Sequence, residues 1–173
     1  MRRSTIPVLL RGFLGRESLD QARAEIERAT GRSGQEAELL LVISSEDGDI
    51  RPSLEFVRHL VHLKIPIAAK VYTAEGPAAL IALTTQRRQI VSRGVVSINL
   101  GMVEIEASEL DEAGALRQET HRLFKDYVDE VYSSVKRLAG ISAAQLGKLS
   151  AGGSLRLSPS ECLAAGIVER VIY

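Results

Sequence analysis

The chain has 173 residues, of which 45% are hydrophobic and 25% charged, which is typical of one globular domain. Lysine plus arginine and aspartate plus glutamate each number 22, so no net field attracts the chain to nucleic acid or anionic lipid. Cys162 is the only cysteine, which excludes an intrachain disulfide and a thiolate metal cluster and is compatible with a reducing compartment.

The amino-terminal part predicts a strand followed by a helix. The apolar run Ile6–Leu10 is shorter than the core of a signal peptide, so it predicts a first strand. No stretch approaches the roughly 18 apolar residues of a membrane span, and we expect no membrane partner. Ser18-Leu19-Asp20-Gln21 is a capping-box pattern, which predicts a helix from Ser18 to about Thr30 with Gly31 as its stop.

Strand and helix patterns then alternate through the middle of the chain. Glu38–Ser44 is a near-continuous apolar run, the pattern of a strand buried on both faces, and Pro52 opens an amphipathic helix. The series predicts a largely parallel sheet with right-handed crossovers. Its further predicted members are a strand Ile67–Tyr72, a short helix from Pro77 to about Thr85, and short strands Gln89–Val91 and Val95–Asn99.

A long helix is predicted from about Ser108 to Ala139, because apolar residues recur at three- and four-residue steps. This stripe packs either across its own domain or on another subunit, and we favour the subunit. Gly140 ends the helix. Capping boxes at Ser142–Gln145 and Ser158–Glu161 then open two short helices, and a final strand is predicted over Ile167–Ile172.

Three segments of the chain resemble the ClpP family of serine peptidases, which belongs to the crotonase-like superfamily, and they follow one another in the same order as in that family. Ile65–Asn99 has the order of that family's catalytic centre: a strand, a sharp turn, a small-residue helix and a second strand. Leu41–Gly48 (LVISSEDG) resembles the family's I-N-S-P-G-G loop, and Ser158–Glu169 (SPSECLAAGIVE) resembles its closing S-A-x-E-A-x-x-Y-G-L-I-D. The long helix is similar to the handle helix that joins two rings in the family.

The resemblance covers nearly the whole chain and implies an architecture. We expect an α/β fold of the crotonase-like ClpP type, a βαβ superhelix with a mostly parallel sheet and a long projecting handle helix. One domain would span 1–173, with a head at about 1–103 and 140–173 and the handle at about 104–139. The resemblance also implies a cytoplasmic homo-oligomer, or a mixed ring with ClpP-like paralogues, with an ATP-driven AAA+ unfoldase as a candidate partner. No cofactor is implied.

The residues at the family's catalytic positions lack the required chemistry. The nucleophilic serine falls at Gly76, or at Pro77 if the register shifts by one, and neither carries a nucleophile. The histidine falls at Asn99, whose amide neither gains nor loses a proton near neutral pH. The aspartate falls at Ser154. All three triad roles are therefore vacant, and we predict no catalytic residue.

The resemblance also assigns the oxyanion hole and the peptide groove. The family's oxyanion donors are an amide of the glycine-rich loop, which falls at Gly48, and the amide after the serine. The second donor would belong to Pro77, which has no N–H. The peptide groove falls at Val95, Val96 and Ser97, where a segment could be held by strand addition without being cleaved.

Three classes of function follow from these observations. The first is a catalytically inactive scaffold or interaction subunit of an oligomeric Clp-type assembly. The second is an active Clp-type serine peptidase with an unrecognised or shifted catalytic set, for which Thr73 and Ser97 are the hydroxyl candidates. The third is a crotonase-like acyl-CoA enzyme that uses carboxylates at Glu46, Asp47 and Glu75. We predict no metal site, because His59 and His62 lie one helical turn apart without an evident third ligand.

Overall fold

The structure, a computed structural model, describes residues 4–33, 37–100 and 117–173. Helices and strands alternate through most of this range. In chain order the elements are β1 (Ser4–Leu14), α1 (Arg16–Ser33), β2 (Ala37–Gly48), α2 (Ile50–His62), β3 (Ile67–Glu75), α3 (Pro77–Thr84), β4 (Arg87–Asn99), α4 (Gln118–Lys136), α5 (Ala143–Ser150), β5 (Ser154–Leu157), α6 (Pro159–Ala164) and β6 (Arg170–Ile172).

One mixed sheet organises the described residues. Its strand order is β1-β2-β3-β4-β5, and β6 pairs with β4 beside β5. Neighbouring strands from β1 to β4 are parallel, as is the β4–β6 pair, whereas β5 runs antiparallel to β4. The mostly parallel α/β sheet predicted from the sequence is confirmed.

The core lies on one face of this sheet. In β2, Leu39, Leu41 and Ile43 are completely buried, while Leu40 and Val42 of the same strand stay half-buried. The expectation that this strand is buried on both faces is therefore wrong for the described part of the molecule. Strand β1 shows the same asymmetry, because Val8 and Leu10 are buried while Pro7, Leu9 and Arg11 between and beside them are exposed.

Strand β4 is continuous, although two separate strands were predicted there. Its pairing with β3 shifts between Val71 and Thr73, where Ile90 and Val95 are the partners on either side. This irregularity accommodates the extra residues of β4 as a bulge, so the strand continues through it. A Cβ atom on Gly94 would lie 3.0 Å from the carbonyl oxygen of Tyr72, so only glycine fits at this point.

Helix α1 is longer than its capping pattern suggested. It begins at Arg16, and the hydroxyl of Ser18 donates to the carbonyl of Gly15 at 3.0 Å rather than accepting from an amide. Gly31 lies inside the helix, so the predicted stop is wrong. A single glycine costs a helix only about 1 kcal/mol, which tertiary packing can override.

The two capping boxes in the carboxy-terminal part form as predicted. Ser142 accepts from the amide of Gln145 while the Gln145 side chain accepts from the Ser142 amide, and Ser158 and Glu161 do the same. Helix α6 then leads through Gly166 at φ 73° to β6. The final strand covers only Arg170–Ile172, because Ile167 and Val168 belong to the turn that precedes it.

Helix α4 begins at Gln118, ten residues after the predicted start at Ser108. Arg117 before it has non-helical backbone angles (φ −56°, ψ 143°) and is its N-cap residue. Residues 108–116 of the predicted helix lie outside the described residues. The described helix packs on α2 and α3 and buries Tyr127, Val131 and Val135. The carboxy-terminal half of the described helix therefore packs on its own domain.

Two ion pairs connect helix α4 to helix α2. Arg51 meets Glu119 at 2.9 Å, and Arg58 meets Asp126 at 3.3 Å. All four side chains are substantially exposed, so each pair contributes about 1 kcal/mol at most and serves mainly to orient the helix. Within the described ranges, no helix combines the length and the apolar character needed to cross a membrane.

Candidate functional site

The turn between β3 and α3 is the centre of the candidate site. Gly76 has φ 55° and ψ −122°, angles that glycine adopts much more readily than other residues. Its amide donates to the carbonyl of Ser97 at 2.9 Å, and its carbonyl accepts from Ala79 at 3.0 Å. Pro77 follows as the first residue of α3, where its fixed φ suits helix initiation. The turn is thus tied to β4 on one side and to α3 on the other.

The structure brings together the three positions that the resemblance assigned to a triad. A Cβ atom on Gly76 would lie 3.7 Å from Nδ2 and 3.8 Å from Oδ1 of Asn99. Asn99 is in turn the strand partner of Ser154 in the antiparallel β4–β5 pair. Gly76, Asn99 and Ser154 therefore form a contiguous group at one end of the sheet. Strand β5, which brings Ser154 to this group, was not predicted from the sequence.

A buried tyrosine supports the group from the helix side. The Tyr127 hydroxyl donates to the carbonyl oxygen of Asn99 at 3.3 Å, and the side chain is only 2% exposed. Burial raises the pKa of Tyr127 above its ordinary value, and the negative charge of Asp47 acts in the same direction. The hydroxyl therefore stays protonated and can only donate here. The sequence showed Tyr127 only as one member of an apolar stripe.

An ion pair lies across β4 beside the turn. Glu75, Ser97 and Arg156 are register partners on β3, β4 and β5, so their side chains share a face of the sheet. Arg156 Nη1 meets Glu75 Oε1 at 2.6 Å, and Ser97 between them is 6% exposed. The carboxylate of Glu75 is therefore engaged by a guanidinium, and Ser97 is covered.

Neither predicted oxyanion donor has an available amide. Gly48 donates its N–H to Oδ1 of Asp47 at 2.8 Å, and Pro77 has no N–H. Gly48 also packs tightly on β1, since a Cβ atom there would lie 2.8 Å from the Cβ of Leu14. That Gly48 supplies one donor stays a prediction, and the bond to Asp47 would have to break for the amide to act in that way.

The predicted peptide groove has strands on both sides. Val96 and Ser97 pair with β3 on one edge and with β5 on the other, whereas Val95 has a partner only on β3. A peptide strand needs an unpaired edge. Strand addition at Val96 or Ser97 would therefore require β5 to leave.

The histidines and the cysteine lie on helices, not on the strands that form the turn, and Cys162 is on α6. His59 and His62 are on α2 and His121 is on α4. Burial lowers the pKa of His59, whose Nε2 has no hydrogen-bond partner, and Nδ1 of His62 lies 2.6 Å from the Arg58 carbonyl. Burial raises the pKa of Cys162 to about 12, which disfavours the thiolate. Across the described ranges, no three His, Cys, Asp or Glu side chains meet to hold a metal ion.

Comparison with known proteins finds similarity in structure alone. No protein family and no curated protein matches the sequence. A crystal structure of a peptidase from Plasmodium falciparum matches with a TM-score of 0.77 and 10% identity, covering 96% of this chain and 95% of that one. The ClpP protease catalytic domain from Plasmodium falciparum matches with a TM-score of 0.73 and 15% identity, covering 96% of this chain and 84% of that one.

These two alignments extend over nearly the whole chain, so they concern the complete arrangement of sheet and helices rather than a shared βαβ unit. Sequence identity is too low to carry activity across with the fold. The α/β architecture described here is that of a ClpP protease catalytic domain, and the chain has the ClpP-type fold.

Proposed function

We propose that this protein is a ClpP-like subunit without peptidase activity, which acts as a scaffold or interaction subunit of an oligomeric Clp-type assembly. The observation that carries the proposal is the juxtaposition of Gly76, Asn99 and Ser154 at one end of the sheet. The backbone of a sharp strand–helix turn is present there, and the side chains that acyl transfer needs are absent.

Acyl transfer by a serine peptidase requires a nucleophile, a general base and oxyanion donors. Gly76 has no side chain, and Asn99, the nearest side chain to a Cβ at that position, has no titratable group. A shift of register by one residue gives Pro77, which has no nucleophile either. The engaged amide of Gly48 removes a further component.

The runner-up is an active peptidase that uses Thr73 or Ser97. Ser97 lies under the ion pair between Glu75 and Arg156, which hinders access to its hydroxyl. The histidines of the chain lie on α2 and α4 and none on β3, β4 or β5, so neither hydroxyl has an imidazole on its own strand or on a paired strand. These positions favour the inactive subunit.

An acyl-CoA enzyme with a carboxylate pair is a weaker alternative. Glu75 is paired with Arg156, so one of its carboxylate oxygens is already engaged by a guanidinium. Asp47 accepts the amide of Gly48, and Glu46 and Asp47 are exposed at the end of β2. The described geometry thus supports no pair of free carboxylates converging on one reacting atom.

The test combines a fluorophosphonate probe with cleavage assays on casein and short fluorogenic peptides, using the same purified sample for native mass spectrometry. We expect no labelling, no cleavage and a homo-oligomer. Cleavage that co-purifies with the chain and disappears in Thr73→Ala or Ser97→Ala would contradict the proposal. If cleavage survives both substitutions, fluorophosphonate labelling of this chain would also contradict the proposal, whereas labelling of a protein of another mass would identify a contaminating peptidase.

The partners form a second part of the proposal. We propose a single-domain, cytoplasmic subunit that assembles with itself or with active ClpP-like paralogues, and that contributes to a surface on which an AAA+ unfoldase acts. Mixing the chain with an active paralogue and weighing the products by native mass spectrometry tests this directly. Mixed masses together with fewer labelled sites per ring would support it, and exclusively separate assemblies would contradict the mixed ring.

A further inference from the structure

The end of β2 carries an aspartate–glycine pair, Asp47-Gly48, that occurs once in this chain. Every other aspartate, and the one asparagine, Asn99, precedes a residue that has a side chain. The amide of Gly48 donates to Oδ1 of Asp47 at 2.8 Å, so the side-chain carboxyl of Asp47 folds back onto the nitrogen of the next residue. Asp47 is exposed, so water also reaches this carboxyl.

The contact brings a nucleophile and an electrophile together. The Gly48 nitrogen that donates to Oδ1 lies beside Cγ of Asp47, the carbon to which that oxygen is bonded. Glycine has no Cβ, so no side chain of residue 48 shields the nitrogen from the carboxyl. Asp49 provides a comparison two residues further along the chain. It is also exposed, but its amide link leads to Ile50, whose β-branched side chain crowds the nitrogen.

Neighbouring residues hold the pair in this arrangement. A Cβ atom on Gly48 would lie 2.8 Å from the Cβ of Leu14, so β1 packs directly on the Gly48 backbone. The amide of Asp49 donates to the carbonyl of Leu14 at 3.0 Å. On the other side, the hydroxyl of Ser45 is buried and donates to the main-chain carbonyl of Asp47 at 2.9 Å. The backbone is thus fixed on both sides of the bond that joins Asp47 to Gly48.

We propose that Asp47 is a site of spontaneous modification, which converts to isoaspartate through a succinimide in the folded protein. The Gly48 nitrogen bonds to Cγ of the protonated carboxyl, and the amide proton leaves with the carboxyl hydroxyl as one molecule of water. Water then attacks the main-chain carbonyl carbon of Asp47 and breaks its bond to the Gly48 nitrogen. The chain afterwards runs through Cγ, and the former main-chain carbonyl becomes a free carboxylate. The two steps need no oxidant or reductant and leave the mass unchanged.

The modification changes the loop to which the resemblance assigns an oxyanion donor. The main chain gains one carbon atom between Asp47 and Gly48, so Gly48 loses its register with Leu14. The present hydrogen bond from the Gly48 amide to Oδ1 ends, because that nitrogen is now bonded to Cγ. The carbonyl that accepts from Ser45 becomes part of a charged carboxylate. This modification is independent of whether the Gly76 site is silent.

Peptide mapping after prolonged incubation at neutral pH and body temperature tests the proposal. Electron-transfer dissociation distinguishes isoaspartate from aspartate by fragments of the lengthened main chain, and a succinimide appears as the loss of one water. We expect isoaspartate to form at Asp47 at least tenfold faster than at Asp49 in the same sample. Asp47→Glu keeps the charge but requires a larger ring, and we expect no isomer at that position. Asp47→Asn releases ammonia instead of water, and we expect it to convert faster than the wild-type chain.

A parallel incubation in urea shows whether the folded state takes part. Circular dichroism confirms that the sample without urea stays folded throughout. Isoaspartate at Asp47 in the folded sample would support the proposal. Its formation in urea alone would overturn the proposal, because the native contacts would then protect the pair. Equal rates at Asp47 and Asp49 would also overturn it, since neither the contact with the Gly48 amide nor the absent side chain would then matter.

Discussion

Gly76 combines an unusual backbone with open space beside it. Its φ of 55° and ψ of −122° suit glycine, yet the nearest atoms to a built Cβ are those of Asn99 at 3.7 and 3.8 Å. A side chain would therefore fit sterically but would strain the backbone. Backbone conformation, and not crowding, therefore restricts the choice of residue at this position.

Gly76→Ser tests that distinction. Holding a non-glycine residue in a sparsely populated backbone region costs about 1–3 kcal/mol, and we expect that loss in urea denaturation. Gly76→Ala should cost the same, because the strain comes from Cβ. We expect no fluorophosphonate labelling of Gly76→Ser, since Asn99 cannot act as its base. Unchanged stability would show that the turn relaxes, and labelling would show that an unrecognised base acts there.

Tyr127→Phe isolates one hydrogen bond at the site. Removing the donor to the Asn99 carbonyl should lower the free energy of unfolding by about 0.5–1.5 kcal/mol, as for a typical buried hydrogen bond. The matched control is Tyr132→Phe on the same helix, a half-buried tyrosine for which the described structure shows no hydroxyl bond. Equal losses in the two variants would mean that the bond to Asn99 contributes nothing measurable.

His59 gives the stability of the fold a pH dependence. Burial lowers its pKa below the ordinary value of 6.5, with Arg23 and His62 acting in the same direction and Glu27 opposing them. The unfolded chain therefore takes up the proton more readily, so the contribution to stability is present above pH 6.5 and is lost as the pH falls through the folded pKa.

We expect His59→Gln to reduce the loss of stability between neutral and mildly acid pH, measured by urea denaturation at each pH. His121→Gln provides the control, because His121 is exposed on α4. An unchanged slope in His59→Gln would assign the acid sensitivity to other groups.

At the scale of elements, the sequence predicted what depends on local pattern. The apolar runs located β1, β2 and β3, and the two capping boxes at Ser142 and Ser158 placed α5 and α6 correctly. The sequence did not predict the features that depend on tertiary contacts. The joining of two predicted strands into β4 depends on a register shift against β3, and β5 is a four-residue strand that exists through its pairing with β4.

Two glycines near α5 are predicted to respond oppositely to alanine. Gly147 lies exposed within α5 with nothing near its built Cβ, so Gly147→Ala should stabilise the protein by up to about 1 kcal/mol through helix propensity. A Cβ on Gly140 would lie 2.0 Å from the carbonyl oxygen of Ala164, so Gly140→Ala should cost about 3 kcal/mol or more. Thermal denaturation of both variants checks the signs. A neutral Gly140→Ala would refute the close approach of this turn to α6.

At the scale of the whole molecule, the closing segment returns to the middle of the sheet. The order of the elements in a ClpP-type fold was predictable from the sequence, and Asn99 lies between Gly76 on one side and its strand partner Ser154 on the other. The sequence could not show that the ion pair between Arg156 and Glu75 covers Ser97, because that contact joins residues far apart in the chain. The contacts that join Arg88 to Ile167 and Glu169 near the end of the chain could not be predicted from the sequence for the same reason.

Arg88 joins three parts of the fold and allows a test of its closure. Its guanidinium donates to the carbonyls of Thr85 and Ile167, and its own carbonyl accepts the amide of Glu169 at 2.9 Å. Arg88→Met leaves two carbonyls without a charged donor, so we expect a loss of about 3 kcal/mol and faster hydrogen exchange in 165–173 than elsewhere. Arg93→Met, an exposed arginine of the same strand, should change neither. Hydrogen exchange in Arg88→Met that is no faster in 165–173 than elsewhere would contradict the prediction that Arg88 fixes this segment locally. The segment would then open only when the entire domain unfolds.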